Sequence, residues 1–218
     1  MRALVLVAVL VGCTPAPPDR PTTSFADAVK VGNVVQVKAH LYWCHREGGC
    51  DVNARESDGS TLLFDAAREG HVEVVQLLIS AGADVNARDT FVGWTPLHKA
   101  LIGNHPDVAK ILIDAGANVN ARNRDGSRPL HWAGSFGYAE CAKILVTAGA
   151  ELDAQEAGGL TALHNAAFWD HADVTKILLD AGANVNVGDE DGATALRAAM
   201  IKGHADVAAL LRAHGGTE

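Results

Sequence analysis

The chain has 218 residues, which is enough for one domain or two small ones. Hydrophobic residues make up 48% of it, an ordinary share for a globular protein that excludes a largely disordered chain. The formal net charge of -8 argues against broad nucleic-acid binding, because such binding needs a basic face.

The first element in chain order is an unbroken apolar run from Ala3 to Val11, preceded by Arg2. It is shorter than the roughly 20 residues of a membrane-spanning helix and matches the apolar region of a secretory signal. The run leads into Gly12-Cys13 and resembles a bacterial lipobox, in which the cysteine is lipidated and becomes the mature N-terminus. The resemblance implies a lipoprotein signal peptide over residues 1–13, with lipidation at Cys13. A plain signal peptide cut nearby and a buried N-terminal strand are the alternatives.

A proline-rich segment follows the signal, over residues 14–23. Its prolines favour extended polyproline geometry, so it is predicted to be a tether. Thr14 stands where an Asp would signal retention in the inner membrane. The lipoprotein resemblance therefore implies an exported protein, anchored to the outer membrane and facing the periplasm, or else a periplasmic protein.

From residue 24 onward the sequence repeats itself. Glycines recur at a nearly constant interval, at Gly82, Gly116, Gly149 and Gly182. The pattern Thr95-Pro96-Leu97-His98 returns in altered form at 128–131, 161–164 and 194–197. Thr95 is suited to cap a short helix whose first residue is Pro96. A glycine then ends that helix, and a second apolar-periodic helix follows.

This pattern closely resembles the ankyrin repeat, a turn followed by two helices. The resemblance covers residues 24–218 and predicts an all-α solenoid of about six units whose connecting β-turns form fingers. The predicted units are 24–55, 56–88, 89–122, 123–155, 156–187 and 188–216. In this family the first helices line a concave face that binds other proteins. The chain is therefore predicted to be a monomeric binding protein with an unknown protein partner.

The first unit departs from the repeat by an insertion that contains Cys44 and Cys50. Between them lies a predicted loop of five residues, and an exported protein meets an oxidising compartment, so we predict a disulfide. A metal site with His45 as third ligand is the alternative, but no fourth ligand stands at a standard zinc spacing. Cys141, on a second helix, is predicted to be a buried, inert thiol.

Two further departures place aromatic residues where the repeat leaves positions free to vary. The third finger carries Phe91 and Trp94 instead of a polar tip. The first helices of the fourth and fifth units carry Trp132, Phe136, Phe168 and Trp169. Exposed aromatics are typical of binding surfaces, so all six residues are predicted to contact the partner. The alternatives are that Trp94 folds back on the neighbouring finger and that the other rings roof the core.

Catalysis, metals and cofactors are not predicted. The histidines recur with the repeat, and His98, His131 and His164 are expected to hydrogen-bond backbone between adjacent units. The sequence contains no nucleophile elbow, zinc-protease motif or phosphate-binding loop. The predicted function is protein binding in the bacterial envelope, as an immunity or antagonist protein for a toxin or enzyme. A helper of a periplasmic enzyme is the alternative, ahead of an enzyme with a convergent site.

Overall fold

The computed structural model describes residues 16–48 and 50–218. Cys13 and the predicted signal peptide lie outside the described residues. Across those ranges the chain forms twelve α-helices in six consecutive pairs, and one 3-10 turn at Ala157–Gly159. The predicted all-α solenoid of about six units is confirmed.

The helices form two layers, because each helix contacts its counterpart in the next unit. The first helices are α1 (Phe25–Lys30), α3 (Leu62–Arg68), α5 (Pro96–Ile102), α7 (Pro129–Phe136), α9 (Ala162–Phe168) and α11 (Ala195–Lys202). The second helices are α2 (Val34–Glu47), α4 (Val72–Ser80), α6 (Pro106–Asp114), α8 (Ala139–Thr147), α10 (Ala172–Asp180) and α12 (Ala205–Ala213). No helix in the described ranges is both long and apolar enough to cross a bilayer.

One continuous apolar core runs between the layers from α1 to α12. The second to sixth units contribute buried leucines, such as Leu101 and Leu145, and every unit contributes buried alanines, such as Ala133 and Ala166. The small alanine side chains allow the first helices to pack closely, while the leucines fill the space between the layers. No unit could bury this surface alone, so its stability depends on its neighbours.

Asparagine side chains join the fingers of successive units. Asn86 Oδ1 accepts a hydrogen bond from the backbone N–H of Asn118 (2.7 Å), and its Nδ2 donates to the carbonyl of Gly116 (3.0 Å). Asn53, Asn120 and Asn186 make the same pair of bonds. Asp153 takes this place between the fifth and sixth fingers, where it accepts from Asn184 but has no amide to donate. The polar backbone of the fingers is thus paired by side chains one unit away.

Histidines join the first helices of successive units at a second level. The Nε2 atoms of His71, His105, His171 and His204 hydrogen-bond the carbonyls of Lys30, Arg68, Ser135 and Phe168, at 2.9–3.1 Å. Each of these carbonyls lies at the C-terminal end of the preceding first helix, where helix geometry provides no internal partner. The contact is very close, because a Cβ built on Gly137 would lie 2.5 Å from His171 Nδ1. A glycine at the helix end therefore makes room for the histidine.

The first unit is longer than the others because its inserted residues extend a helix. The sequence predicted a loop of five residues after Cys44, but α2 continues to Glu47 and ends at Gly48, whose φ is 71°. Helical geometry persists because Tyr42 to Glu47 contain no proline or glycine to stop it. The Cα atoms of Cys44 and Cys50 are 5.2 Å apart, a separation that a disulfide spans. Oxidation of this pair stays a prediction.

The second half of the predicted tether lies against α2. Trp43 Nε1 donates to the carbonyl of Pro18 (3.1 Å), and the Arg20 guanidinium lies 4.8 Å from the Trp43 ring centroid. Arg20 also pairs with Glu47 at 2.6 Å. Farther along, His40 Nε2 hydrogen-bonds the carbonyl of Thr23 (2.8 Å). Residues 18–23, which belong to the predicted tether, therefore pack on the first unit.

Candidate protein-binding surface

A row of four aromatic rings crosses the third and fourth units. Trp94 meets Trp132 edge to face with centroids 5.7 Å apart, Trp132 stacks on Phe136 at 5.7 Å, and Phe136 stacks on Tyr138 at 5.4 Å. We call these residues the four-ring row. Three of its members are half-buried, whereas Phe136 is 45% exposed. The row therefore presents an apolar surface to solvent at Phe136.

The side chain of Trp94 points from the third finger towards the first helices. It contacts Trp132 of α7, the first helix of the next unit. Its predicted contact with a partner stays a prediction. Lys99 Nζ lies 4.1 Å from the Trp94 ring centroid, a cation–π contact. Burial lowers the pKa of this ammonium, although nearby carboxylates such as Asp89 oppose the shift. The indole N–H groups of Trp94 and Trp132 are buried without an acceptor among the described residues.

Phe168 and Trp169 form a separate pair at the end of α9. Their centroids are 5.0 Å apart in an edge-to-face arrangement, and Trp169 is 58% exposed. Lys202 Nζ lies 4.1 Å from the Phe168 ring centroid. No ring contact in the described part of the chain joins this pair to the four-ring row. The aromatic residues that the sequence placed on one side of adjacent units therefore form two groups.

The Phe168–Trp169 pair borders a groove between the fifth and sixth units, which we call the α9–α11 groove. Its volume is about 350 Å³. It is lined by Leu160, His164, Asn165, Phe168, Trp169, Asp189, Ala193, Ala198 and Ile201. Ile201 is 73% exposed, so the groove opens to solvent between two large apolar side chains, Ile201 and Trp169.

Phe91 stands apart from both groups. Asp89 Oδ1 accepts the backbone N–H groups of Val92 and Gly93, at 2.9 and 2.8 Å, which closes the turn and leaves Phe91 at its tip. The ring is 70% exposed and makes no aromatic contact in the described structure. The other five residues predicted to contact the partner each pack against another aromatic ring, whereas Phe91 does not do so among the described residues.

The recurrent histidines have structural roles. His98, His131 and His164 each accept, at Nδ1, the backbone N–H of the residue that caps their helix, at 3.1–3.2 Å. This bond from the third helical residue back to the cap satisfies a backbone donor that would otherwise be unpaired. At Nε2, His131 bonds the carbonyl of Ala154 and His164 bonds that of Ala193, each in the finger that follows, whereas His98 has no partner among the described residues. The predicted backbone bond to the following finger is therefore made by two of the three.

Burial makes these imidazoles weak bases. It lowers the pKa of His98 to about 4, and it also lowers the pKa of His131 and His164. Cys141 is fully buried, as predicted, and burial raises the pKa of its thiol to about 11. A buried thiol with a raised pKa is a poor nucleophile. No group of three potential metal ligands occurs in the described ranges.

The repeat is also recognised by comparison with known families. A model of ankyrin repeats in three copies matches residues 7–89, 25–123, 88–156 and 130–218. The chain belongs to the ankyrin-repeat family. Ankyrin repeats mediate protein–protein interactions, and that general function extends to this chain.

Curated ankyrin-repeat relatives match over short stretches. The NF-kappa-B inhibitor cactus of Drosophila melanogaster is 43% identical over 53 residues, 24% of this chain and 11% of that protein. Protein phosphatase 1 regulatory subunit 12A of Mus musculus is 44% identical over 66 residues, 30% of this chain and 6% of that protein. Cortactin-binding protein 2 of Plecturocebus moloch is 38% identical over 82 residues, 38% of this chain and 5% of that protein. The chain thus spans a small fraction of each relative.

Sequence reasoning missed Tyr138 as a member of the aromatic surface. Tyr138 occupies the place that His105 and His171 hold in the ankyrin repeats immediately before and after it. The absence of that histidine was the available signal. In the structure Tyr138 extends the four-ring row instead of bonding the previous unit.

Proposed function

We propose that this protein is an exported lipoprotein that binds a protein partner through the side chains at the ends of its first helices. The observation that carries the proposal is the four-ring row, because it holds the exposed Phe136 between the rings of Trp132 and Tyr138. Rigid, preorganised aromatic residues lose little entropy on binding and are typical of binding hot spots. The second aromatic group, at Trp169, adds a contact one unit away.

Within that proposal, we favour an antagonist or immunity role in the bacterial envelope. Because the aromatic side chains are already held in place by neighbouring rings, the surface can cover an active site without rearranging. One relative is itself named an inhibitor, which agrees with such a role. A neighbouring gene for a secreted lipase or nuclease would support immunity, whereas one for a periplasmic enzyme that loses activity without this protein would support a helper.

Site-specific photo-crosslinking tests the binding surface. A photoreactive phenylalanine analogue is placed at Phe136, at Trp169 or, as a control, at exposed Lys143 on α8. In envelope extract we expect the same adduct from the first two positions and none from Lys143. We expect the combined change Trp132→Ala and Trp169→Ala to reduce the Phe136 adduct about tenfold or more, since hot-spot truncation costs about 2 kcal/mol. Equal adducts from all three positions would exclude this surface.

The membrane anchor is tested separately. Lipidation needs the thiol of Cys13, so Cys13→Ser is expected to move the protein from the membrane fraction to the soluble fraction. Cys141→Ser, which alters a buried thiol far from the signal, is the matched control and should leave fractionation unchanged. Membrane association that survives Cys13→Ser would contradict the lipoprotein proposal.

A further inference from the structure

The α9–α11 groove differs in charge from the rest of the row of fingers. The fifth and sixth fingers, residues 151–160 and 184–193, carry six carboxylates and no lysine or arginine. The third and fourth fingers, residues 84–95 and 118–128, carry four arginines against three aspartates. The α9–α11 groove lies beside the acidic fifth and sixth fingers.

Two of these carboxylates are fixed at the groove. Glu156 Oε1 accepts from Asn165 Nδ2 at 2.7 Å, and Asn165 lines the groove. Asp189, also in the lining, accepts the backbone N–H groups of Asp191 and Ala193 at 3.0 and 2.8 Å. These bonds hold negative charge at the finger side of an apolar cleft. Glu190 and Asp191 continue it outward into solvent.

The opposite edge of the groove is apolar and positive. Trp169 and Ile201 form the exposed apolar walls, and Lys202 covers the Phe168 ring. Lys202 repels positive charge at this edge, so the basic part of a ligand is favoured on the finger side. A volume of about 350 Å³ is near the lower limit of ligand pockets, roughly 300–1,000 Å³, and suits one large side chain.

We infer that the α9–α11 groove binds an exposed segment of a protein partner in which one large aliphatic or aromatic side chain is flanked by lysine or arginine. The apolar side chain enters between Trp169 and Ile201, and the basic neighbours lie against the carboxylates of the fifth and sixth fingers. This inference rests on the proposed function and adds the chemistry of the partner. Opposite charges in water attract by about 1 kcal/mol at 4 Å, so several carboxylates favour such a segment over an acidic one.

Labelled synthetic peptides test the inference by fluorescence anisotropy. One carries a leucine flanked on both sides by lysines, a second has glutamates in place of the lysines, and a third has glycine in place of the leucine. We expect the first to bind about tenfold or more tightly than either of the others, and its affinity to fall as salt rises.

Substitutions in the protein test whether the lysine–leucine peptide binds in the α9–α11 groove. Trp169→Ala should weaken the lysine–leucine peptide about tenfold, and Glu190→Gln combined with Asp191→Asn should reduce its preference over the glutamate peptide. Lys143→Ala, on α8 and outside the proposed binding surface, should leave both unchanged. Undetectable binding, equal binding of the lysine and glutamate peptides, or equal losses with Lys143→Ala and Trp169→Ala would each overturn the inference. Adducts at Phe136 and Trp169 in the crosslinking test would still support the proposed function in that case.

Discussion

Gly137→Ala is expected to lower the free energy of unfolding by about 3 kcal/mol. Gly137 ends α7 with a φ of 71°, and an L-residue in that conformation costs roughly 1–2 kcal/mol. The added Cβ would also lie 2.5 Å from His171 Nδ1, and overpacking of this kind costs roughly 1–3 kcal/mol. Urea unfolding followed by circular dichroism measures the combined loss from backbone strain and overpacking.

Gly203 provides a matched control for this contact. It ends α11 with a φ of 79°, but a Cβ there would meet nothing within 4 Å. Gly203→Ala should therefore cost only the backbone part, about 1 kcal/mol. If the two alanine variants lose equal stability, the histidine contact contributes nothing. Adding His171→Ala to Gly137→Ala should in turn recover part of the loss, because it removes the clash.

Acid is expected to destabilise the fold by about 2 kcal/mol between pH 7 and pH 5 through His98 alone. Burial lowers the pKa of His98 from 6.5 to about 4. The unfolded chain thus takes up a proton below pH 6.5 that the folded protein does not bind until about pH 4. The contribution of His98 to the free energy of unfolding is fully present above pH 6.5. It falls between pH 6.5 and about pH 4, by about 3 kcal/mol in total at 1.36 kcal/mol per pKa unit.

The physical cause lies at both ring nitrogens of His98. Nδ1 accepts the backbone N–H of Thr95, so a proton there would break the helix cap. Nε2 faces the Ser127 carbonyl without a hydrogen bond of ordinary geometry, so the charged ring would gain little. The lowered pKa values of His131 and His164 add losses in the same direction.

Urea midpoints at pH 7 and pH 5 measure this dependence. The lower condition is set at pH 5 because carboxylates have ordinary pKa values near 4 and titrate mainly below pH 5. His98→Gln removes the titrating ring; we expect it to be less stable at pH 7 but to lose about 2 kcal/mol less on acidification. Identical losses in wild type and His98→Gln would show that His98 does not titrate as inferred.

The periodic parts of this fold were readable from the sequence. Unit length, the helix pairs and the helix-ending glycines all repeat, and each repetition, such as Gly137 after Gly70, strengthens the prediction. Local rules also hold: Thr95 is the extended N-cap residue of α5, and Pro96 is the first residue of that helix. These features depend on neighbouring residues only, so a single unit already contains the information.

The parts that the sequence did not predict depend on contacts between units. The side-chain direction of Trp94 follows from the position of Trp132 in the next unit, so the finger sequence alone could not show it. The division of the rings into two groups likewise depends on where α7 and α9 end relative to each other. The helical extension of α2 was missed because the spacing of Cys44 and Cys50 suggested a loop, although its residues contain no helix breaker.

The packing of residues 18–23 on α2 has a consequence for how the protein stands at a membrane. If Cys13 is the lipid anchor, five residues lead from it to Pro18, and five residues span at most about 18 Å even when fully extended. The first unit would then lie within about that distance of the anchor. The α9–α11 groove is at the other end of the stack, four units away from α1. Attachment at the first unit would therefore leave the acidic mouth of the groove uncovered by the anchor.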